Sequence, residues 1–381
     1  MVRQTLDPAR QQQAKQYAAI RHRLLVVRLL LASVFWLVFL FTGLSEKLAH
    51  LWDAPLLAVV AAYVLIALAV YATLLAPLSY YGGFVLPHRY GLSCQSLKSW
   101  LVDLAKAGLL GLLLRLAFVV VVYWLLDHFK DTWWLLAAAL AILVMVVLTM
   151  LVPVLIIPIF FKLRPLQDED LASRLSTLMR RAGYQSQGIS VIDLSSKTSA
   201  GNAMLAGLGK TRRIILGDTI LDQYTPEEIE VVAAHELGHH RHRHFIRLFA
   251  VHSALTVLGL YLADLALKQA VPWLGLDAIS DVAAFPVLVL TLGALSLLVG
   301  PLTNAYSRRL ERAADDYAIS LTSAPGAFVD LMTRLTNQNL ADATPPRWAE
   351  VMLYDHPPYW KRVARAGAAS GAAGCSAEGR G

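Results

Sequence analysis

Apolar residues gather into six runs along the chain, at roughly 25–44, 56–78, 107–126, 133–161, 246–267 and 284–304. About 20 apolar residues in a helix cross the hydrocarbon of a bilayer, so the pattern predicts six spanning helices. Trp133 and Trp134 open the fourth run, where aromatic rings anchor at the membrane surface. That run is long enough to tilt or to extend past the bilayer. Between 162 and 245 the pattern changes. Residues 167–183 carry the spacing of an amphipathic helix. Ile189–Leu194 and Arg213–Leu216 read as short strands, separated by residues rich in Ser, Gly and Thr. Thr225-Pro226-Glu227-Glu228 is a helix start, with threonine as cap, proline in the first turn and Glu228 three residues past the cap. The helix it opens runs through 227–244, with a continuation into the fifth span left open.

Composition strengthens the membrane assignment. Of 381 residues, 57% are hydrophobic and 16% are charged, against about 25% charged in soluble domains. The net charge of +7 would suggest nucleic acid in a soluble chain. Here the basic residues flank apolar spans, so the expected partner is the lipid bilayer and no nucleic acid is expected. Arg3, Arg10, Lys15, Arg21 and Arg23 precede the first span, Arg89 and Lys98 lie in the second loop, and Arg308, Arg309 and Arg312 follow the sixth span. The intervening loops hold few Lys or Arg. By the positive-inside rule both termini and segment 162–245 face the cytoplasm. No cleavable signal peptide is expected, because 1–23 is polar and the first apolar run is long enough to stay as a span. Cys94 and Cys375 lie far apart and suggest neither a disulfide framework nor a metal pair. Arg115 and Asp264 fall inside apolar runs, and are expected either to pair or line an internal chamber, or to snorkel from a span end.

Candidate chemistry concentrates at His235-Glu236-Leu237-Gly238-His239, an H-E-x-x-H sequence. Positions i and i+4 of a helix share a face, so two imidazoles there can grip one Zn²⁺, and Glu236 stands where it can take a proton from water. The bland alternative is a solvated histidine-rich helix end that also includes His240, His242 and His244. A catalytic zinc needs a third protein ligand and an open position. Glu311 and Asp315 lie at i and i+4 after the sixth span. Glu311 suits the ligand role, and Asp315 suits an acceptor that orients a ligand imidazole. Without the first motif they would be a mixed-charge surface helix. His356 stands alone before Pro357-Pro358, and its surroundings in sequence leave a structural and a catalytic role equally open.

With these residues the chain resembles the type-1 CAAX prenyl proteases, integral-membrane zinc endopeptidases, from about residue 25 to about 365. The resemblance rests on several blocks: His235 to His239 with His244; Ser307-Arg308, Glu311, Ala314-Asp315 and Ala318; Tyr354-Asp355-His356-Pro357-Pro358 with Arg362; and Ser196-Lys197, Ser199, Asn202-Ala203, Gly207 and Ile215 to Thr219. Pro158, Phe160, Leu163 and Pro165-Leu166 match the family's junction between membrane and protease parts. It implies a mostly α fold, a polytopic helical bundle with an inserted zincin-like metalloprotease domain containing a small β-sheet. It implies one Zn²⁺ per chain held by His235, His239 and Glu311. Glu236 would be general base and then acid, Asp315 would back a ligand, and His356 would stabilise the oxyanion. Arg362 would help hold the substrate backbone, and Asn202 and Ala203 would pair with an extended peptide from an edge strand. Six spans are one fewer than the seven typical of eukaryotic members.

The expected organisation is a basic cytoplasmic segment at 1–24, spans one to four at 25–161, and a protease segment with the motif helix at 162–245. Spans five and six follow at 246–306, a C-terminal protease segment with the third ligand at 307–365, and a disordered tail at 366–381. The substrate implied is a peptide with a prenylated CAAX-type C-terminus. The alternatives are broader quality-control proteolysis of membrane proteins, and a non-catalytic scaffold whose zinc takes a fourth ligand such as His240 or His244.

Overall fold

The computed structural model describes residues 5–184, 188–206 and 213–378. Gly207 lies outside these residues, as does the side chain of Cys375. Among the described residues six helices are long and apolar enough to cross a membrane: Pro8–Phe41, Leu56–Arg89, Leu97–His128, Trp133–Phe160, His244–Trp273 and Val282–Thr322. Each corresponds to one of the six runs, to within a few residues at the ends. Side chains such as Val154, Leu298 and Leu302 stand 69–74% exposed on them, which is tolerable only against lipid. The inward faces meet in an apolar core around Trp36, Tyr63, Leu126, Trp133, Ala263 and Phe285.

The first helix starts well before the apolar run. Asp7 caps it by accepting hydrogen bonds from the amides of Ala9 and Arg10, with Pro8 in the first turn. Its polar beginning does not wave free: Arg10 donates through Nε and Nη2 to the carbonyl of Asn337, 3.2 and 3.0 Å away. Asp264 is buried, and its oxygens accept from Trp133 Nε1 at 2.7 Å and face Lys268 Nζ at 3.0 Å. A carboxylate in an apolar bundle needs such partners. Arg115, expected as an alternative partner, is exposed and does not form the pair.

The protease part packs around a second core containing Leu175, Leu216, Val231, Leu237, Phe328 and Leu331. The amphipathic segment forms helix Glu169–Arg181, capped by Asp168. Four strands, β1 (Leu163–Pro165), β2 (Ile189–Ile192), β3 (Ala203–Ala206) and β4 (Arg213–Gly217), form one sheet in the order β1-β2-β4-β3. β2 and β4 run parallel, while β1 and β3 are antiparallel to their neighbours. β3 is therefore an edge. The residues leading into it are tied to the membrane part. Lys197 Nζ reaches Asp103 Oδ2 at 2.5 Å and the Phe160 carbonyl at 2.6 Å, and Ser93 bridges Thr198.

The motif helix is Pro226–Arg241, opened by the predicted capping box between Thr225 and Glu228. It does not continue into the fifth span. The chain turns at His242 and Arg243, and Arg243 adopts φ +52° before the next helix begins at His244. The sixth span runs on past the apolar residues as one helix, Phe285–Thr322, and carries Glu311 and Asp315 against the motif helix. The last helix is Tyr359–Glu378, so the described part of the segment read as a disordered tail extends a helix instead. Its alanines favour helix, and Ala366 is fully buried.

The motif helix and the sixth-span helix approach closely at Gly238. A Cβ there would lie 3.0 Å from Ala314 Cα and 3.2 Å from its carbonyl oxygen. Both obstacles are backbone, so they yield only if the helices part. Gly238→Ala is expected to cost about 1–3 kcal/mol of stability as an overpacking change. Thermal unfolding of the detergent-purified chain measures this, and an unchanged transition would show that the two helices separate freely.

Candidate metal centre

His235 and His239 stand one turn apart on the motif helix, and their Nε2 atoms are 3.1 Å from each other. Glu311 enters from the sixth-span helix. Its Oε2 is 3.3 Å from His235 Nε2 and its Oε1 is 3.3 Å from His239 Nε2. Among the described residues these three side chains form the group able to hold a metal ion, with one donor atom from each within 4.8 Å of the others. Donors about 2.0–2.1 Å from a tetrahedral zinc stand roughly 3.3 Å apart, so the observed spacing fits such an ion.

Burial supplies a second fit. Glu311 is 5% exposed, and its Oε2 has no well-aligned hydrogen-bond donor among the described residues. A buried carboxylate oxygen in that condition is costly unless a cation meets it. Two imidazoles and one carboxylate are also the donor set of catalytic zinc sites, which leave a fourth position open.

Surrounding groups orient the donors. Asp315 Oδ1 lies 3.0 Å from His235 Nδ1, a close contact although not an ideally aligned hydrogen bond. Arg362 grips Asp315 from the other side with two donors, Nε at 2.9 Å and Nη2 at 2.5 Å. Arg362, expected to hold substrate, thus has part of its fork committed to Asp315. Glu236, next to His235 in the chain, is half-buried, and its charge acts on Arg362. His356 Nε2 is 3.4 Å from Glu311 Oε2, while its Nδ1 lies 2.8 Å from Asp355 Oδ1. The segment before His356 is held by Arg308, which the sequence placed only among the basic residues after the sixth span and in a resemblance block. Arg308 is buried and donates through Nη1 to the carbonyls of Glu350, at 2.8 Å, and Tyr354. Its position one turn before Glu311 was the available signal. Asn202 precedes edge strand β3 and accepts from the Gly217 amide at 2.9 Å, and Ala203 begins the strand. His240 and His244 stand outside the three-donor group: His240 packs on Tyr184, and His244 lies behind His239.

Electrostatics separates the two motif histidines. Burial lowers the His235 pKa, but Asp315 and Glu311 outweigh it and bring it up to about 9. Burial pulls His239 down to about 4, helped by the charge of His235. The Asp355 hydrogen bond raises His356, against burial.

Fold and donor set together define a multi-pass membrane metallopeptidase. Two family models match the chain: "Peptidase family M48" over residues 165–369, and "CAAX prenyl protease N-terminal, five membrane helices" over residues 1–162. The chain belongs to peptidase family M48, and its first 162 residues match the N-terminal model of the CAAX prenyl proteases. It is 29% identical to the uncharacterized metalloprotease YhfN of Bacillus subtilis over 95% of this chain and 86% of that one. It is 33% identical to CAAX prenyl protease 1 of Saccharomyces cerevisiae, over 45% of this chain and 38% of that protein. The fold matches the crystal structure of S. mikatae Ste24p with a TM-score of 0.85 at 21% identity, covering 95% and 90% of the two chains. Through residue 162 the described part of this chain has four helices of spanning length and apolarity, against the five in the family description.

The carboxylates of Asp315 and Glu311 favour the protonated form of His235, and burial favours the neutral form of His239. Imidazoles ligate in the neutral form, so a metal held by these two rings would displace a proton from His235. Metal affinity should therefore rise with pH up to the raised His235 pKa of about 9 and then level off. Titration calorimetry in buffers of different ionisation enthalpy counts the protons. Release of at least about one per metal is expected, and release of none would contradict the assignment.

Proposed function

We propose that this chain is a zinc endopeptidase that hydrolyses peptide bonds near C-terminal, CAAX-type prenylated ends of membrane-associated peptides. The observation that carries the proposal is the convergence of His235, His239 and Glu311 on one point, with Glu236 next to His235 in the chain. In this reading those three residues hold one Zn²⁺ per chain. Bound there, zinc supplies Lewis-acid polarisation of the scissile carbonyl and of the attacking water.

The chain's own groups do the rest. Glu236 accepts the proton of the attacking water and later delivers it to the leaving amine. His356, its Nδ1 engaged by Asp355, offers Nε2–H to the developing oxyanion. Asp315 fixes the His235 ring, and Arg362 fixes Asp315 while its remaining N–H groups are available to the substrate backbone. Asn202 and Ala203, at the start of β3 on the edge of the sheet, pair with the extended peptide.

Two features favour a lipidated peptide over a soluble one. A cavity of about 640 Å³ touches His356 and Arg362, and it shares Ala18, His22 and Asp342 with a more apolar cavity of about 710 Å³ lined by Val26, Val27 and Trp348. Such a site can take a polar backbone and an apolar tail together. Relatives named CAAX prenyl protease 1 agree with that class. The basic residues flanking the spans support a site open to the cytoplasm. Quality-control proteolysis stays the second reading, since an apolar cavity also accepts unmodified membrane segments.

Glu236→Gln should keep its metal and lose about 10²–10⁴ of turnover; near-normal turnover would remove Glu236 from the mechanism. Cleavage of matched farnesylated and unmodified peptides separates the two substrate readings. Preference for the farnesylated member is expected, and equal kcat/KM for both would favour the broader one.

A further inference from the structure

His244 opens the helix after the motif turn, and it is 1% exposed. Its Nδ1 lies 3.0 Å from Nδ1 of His239. His239 directs its other nitrogen, Nε2, at His235 and Glu311. A ligand imidazole uses the lone pair of one nitrogen and carries its proton on the other, and the partner of that second nitrogen sets tautomer and ring orientation. For His239 to present a bare Nε2, its Nδ1 must carry the hydrogen, and His244 Nδ1 is the acceptor placed to receive it.

The structure carries two local costs at this contact. Arg243 takes φ +52°, a left-handed conformation uncommon outside glycine, and thereby turns the chain so that His244 faces back on the motif helix. Once His244 accepts through Nδ1, its hydrogen sits on Nε2, which is buried without a hydrogen-bond partner among the described residues. A strained turn and an unsatisfied donor beside a ligand are features that persist where a site requires them. His235 receives its second contact from the carboxylate of Asp315, while His239 receives its own from a second imidazole.

We propose that His244 is a positioning residue, which accepts the Nδ1 hydrogen of His239 and so holds that ring in the tautomer and orientation that ligate the metal. This rests on the zinc reading of the site. Two substitutions separate hydrogen bonding from packing. His244→Phe keeps a ring and removes the acceptor. His244→Asn removes the ring and keeps an acceptor, since its Oδ1 stands where Nδ1 did. Zinc affinity of the detergent-purified full chain is measured at equilibrium by competition with a chromophoric chelator, with metal-free thermal unfolding as the folding control. His244→Phe is expected to bind zinc about 10–100-fold more weakly, and His244→Asn within about threefold of the parent chain. Parent-like affinity in folded His244→Phe overturns the proposal, as does His244→Asn binding as weakly as His244→Phe. If the parent chain itself binds no zinc, the zinc reading fails instead.

Discussion

The site depends on one helix crossing. The motif helix and the extension of the sixth span meet backbone to backbone at Gly238 and Ala314, and only that closeness lets a short carboxylate side chain, Glu311, reach two imidazoles on the opposite helix. The motif histidines are four residues apart, while Glu311 is far along the chain. The crossing therefore converts a local pattern into a three-donor site. It also places Asp315, one turn beyond Glu311, against the far nitrogen of His235. Arg362 then arrives from the last helix and balances the charge of Asp315.

The crossing is held in place by both halves of the protein. The carboxylate helix is continuous with a membrane span, so its position is set by the apolar bundle as much as by the protease core. The first helix reaches out of the bundle to the Asn337 carbonyl through Arg10. Lys197 ties the segment before β3 to Asp103 and to the end of the fourth span. Donors and edge strand are in this way referred to a common frame, which is what a hydrolase needs to hold a peptide at a reacting distance.

Much of this was legible in the sequence because its signals are local. Six apolar runs read directly as spans, the capping box opened the motif helix where expected, and the i, i+4 pairs His235/His239 and Glu311/Asp315 each share a helix face. What escaped depends on tertiary contacts or on single backbone angles. The turn at Arg243 separates two helices that periodicity alone would join. Asp264 finds Trp133 and Lys268 rather than Arg115, a choice fixed by which faces of the spans meet. The small, alanine-rich residues after 365 look aperiodic, yet the last helix carries on through Ala366 into them once that residue is buried. Arg308 and His244 were visible as residues, but their uses are not, because each acts on a group that only folding brings near.

X-ray absorption at the zinc edge of the purified full-length chain is the most direct test of the central claim. The account predicts one zinc per chain with two imidazole nitrogens and oxygen ligands, at about 2.0–2.2 Å. A shell of three or more imidazoles, drawing in His240 or His244, or a chain that retains no stoichiometric zinc, would contradict it.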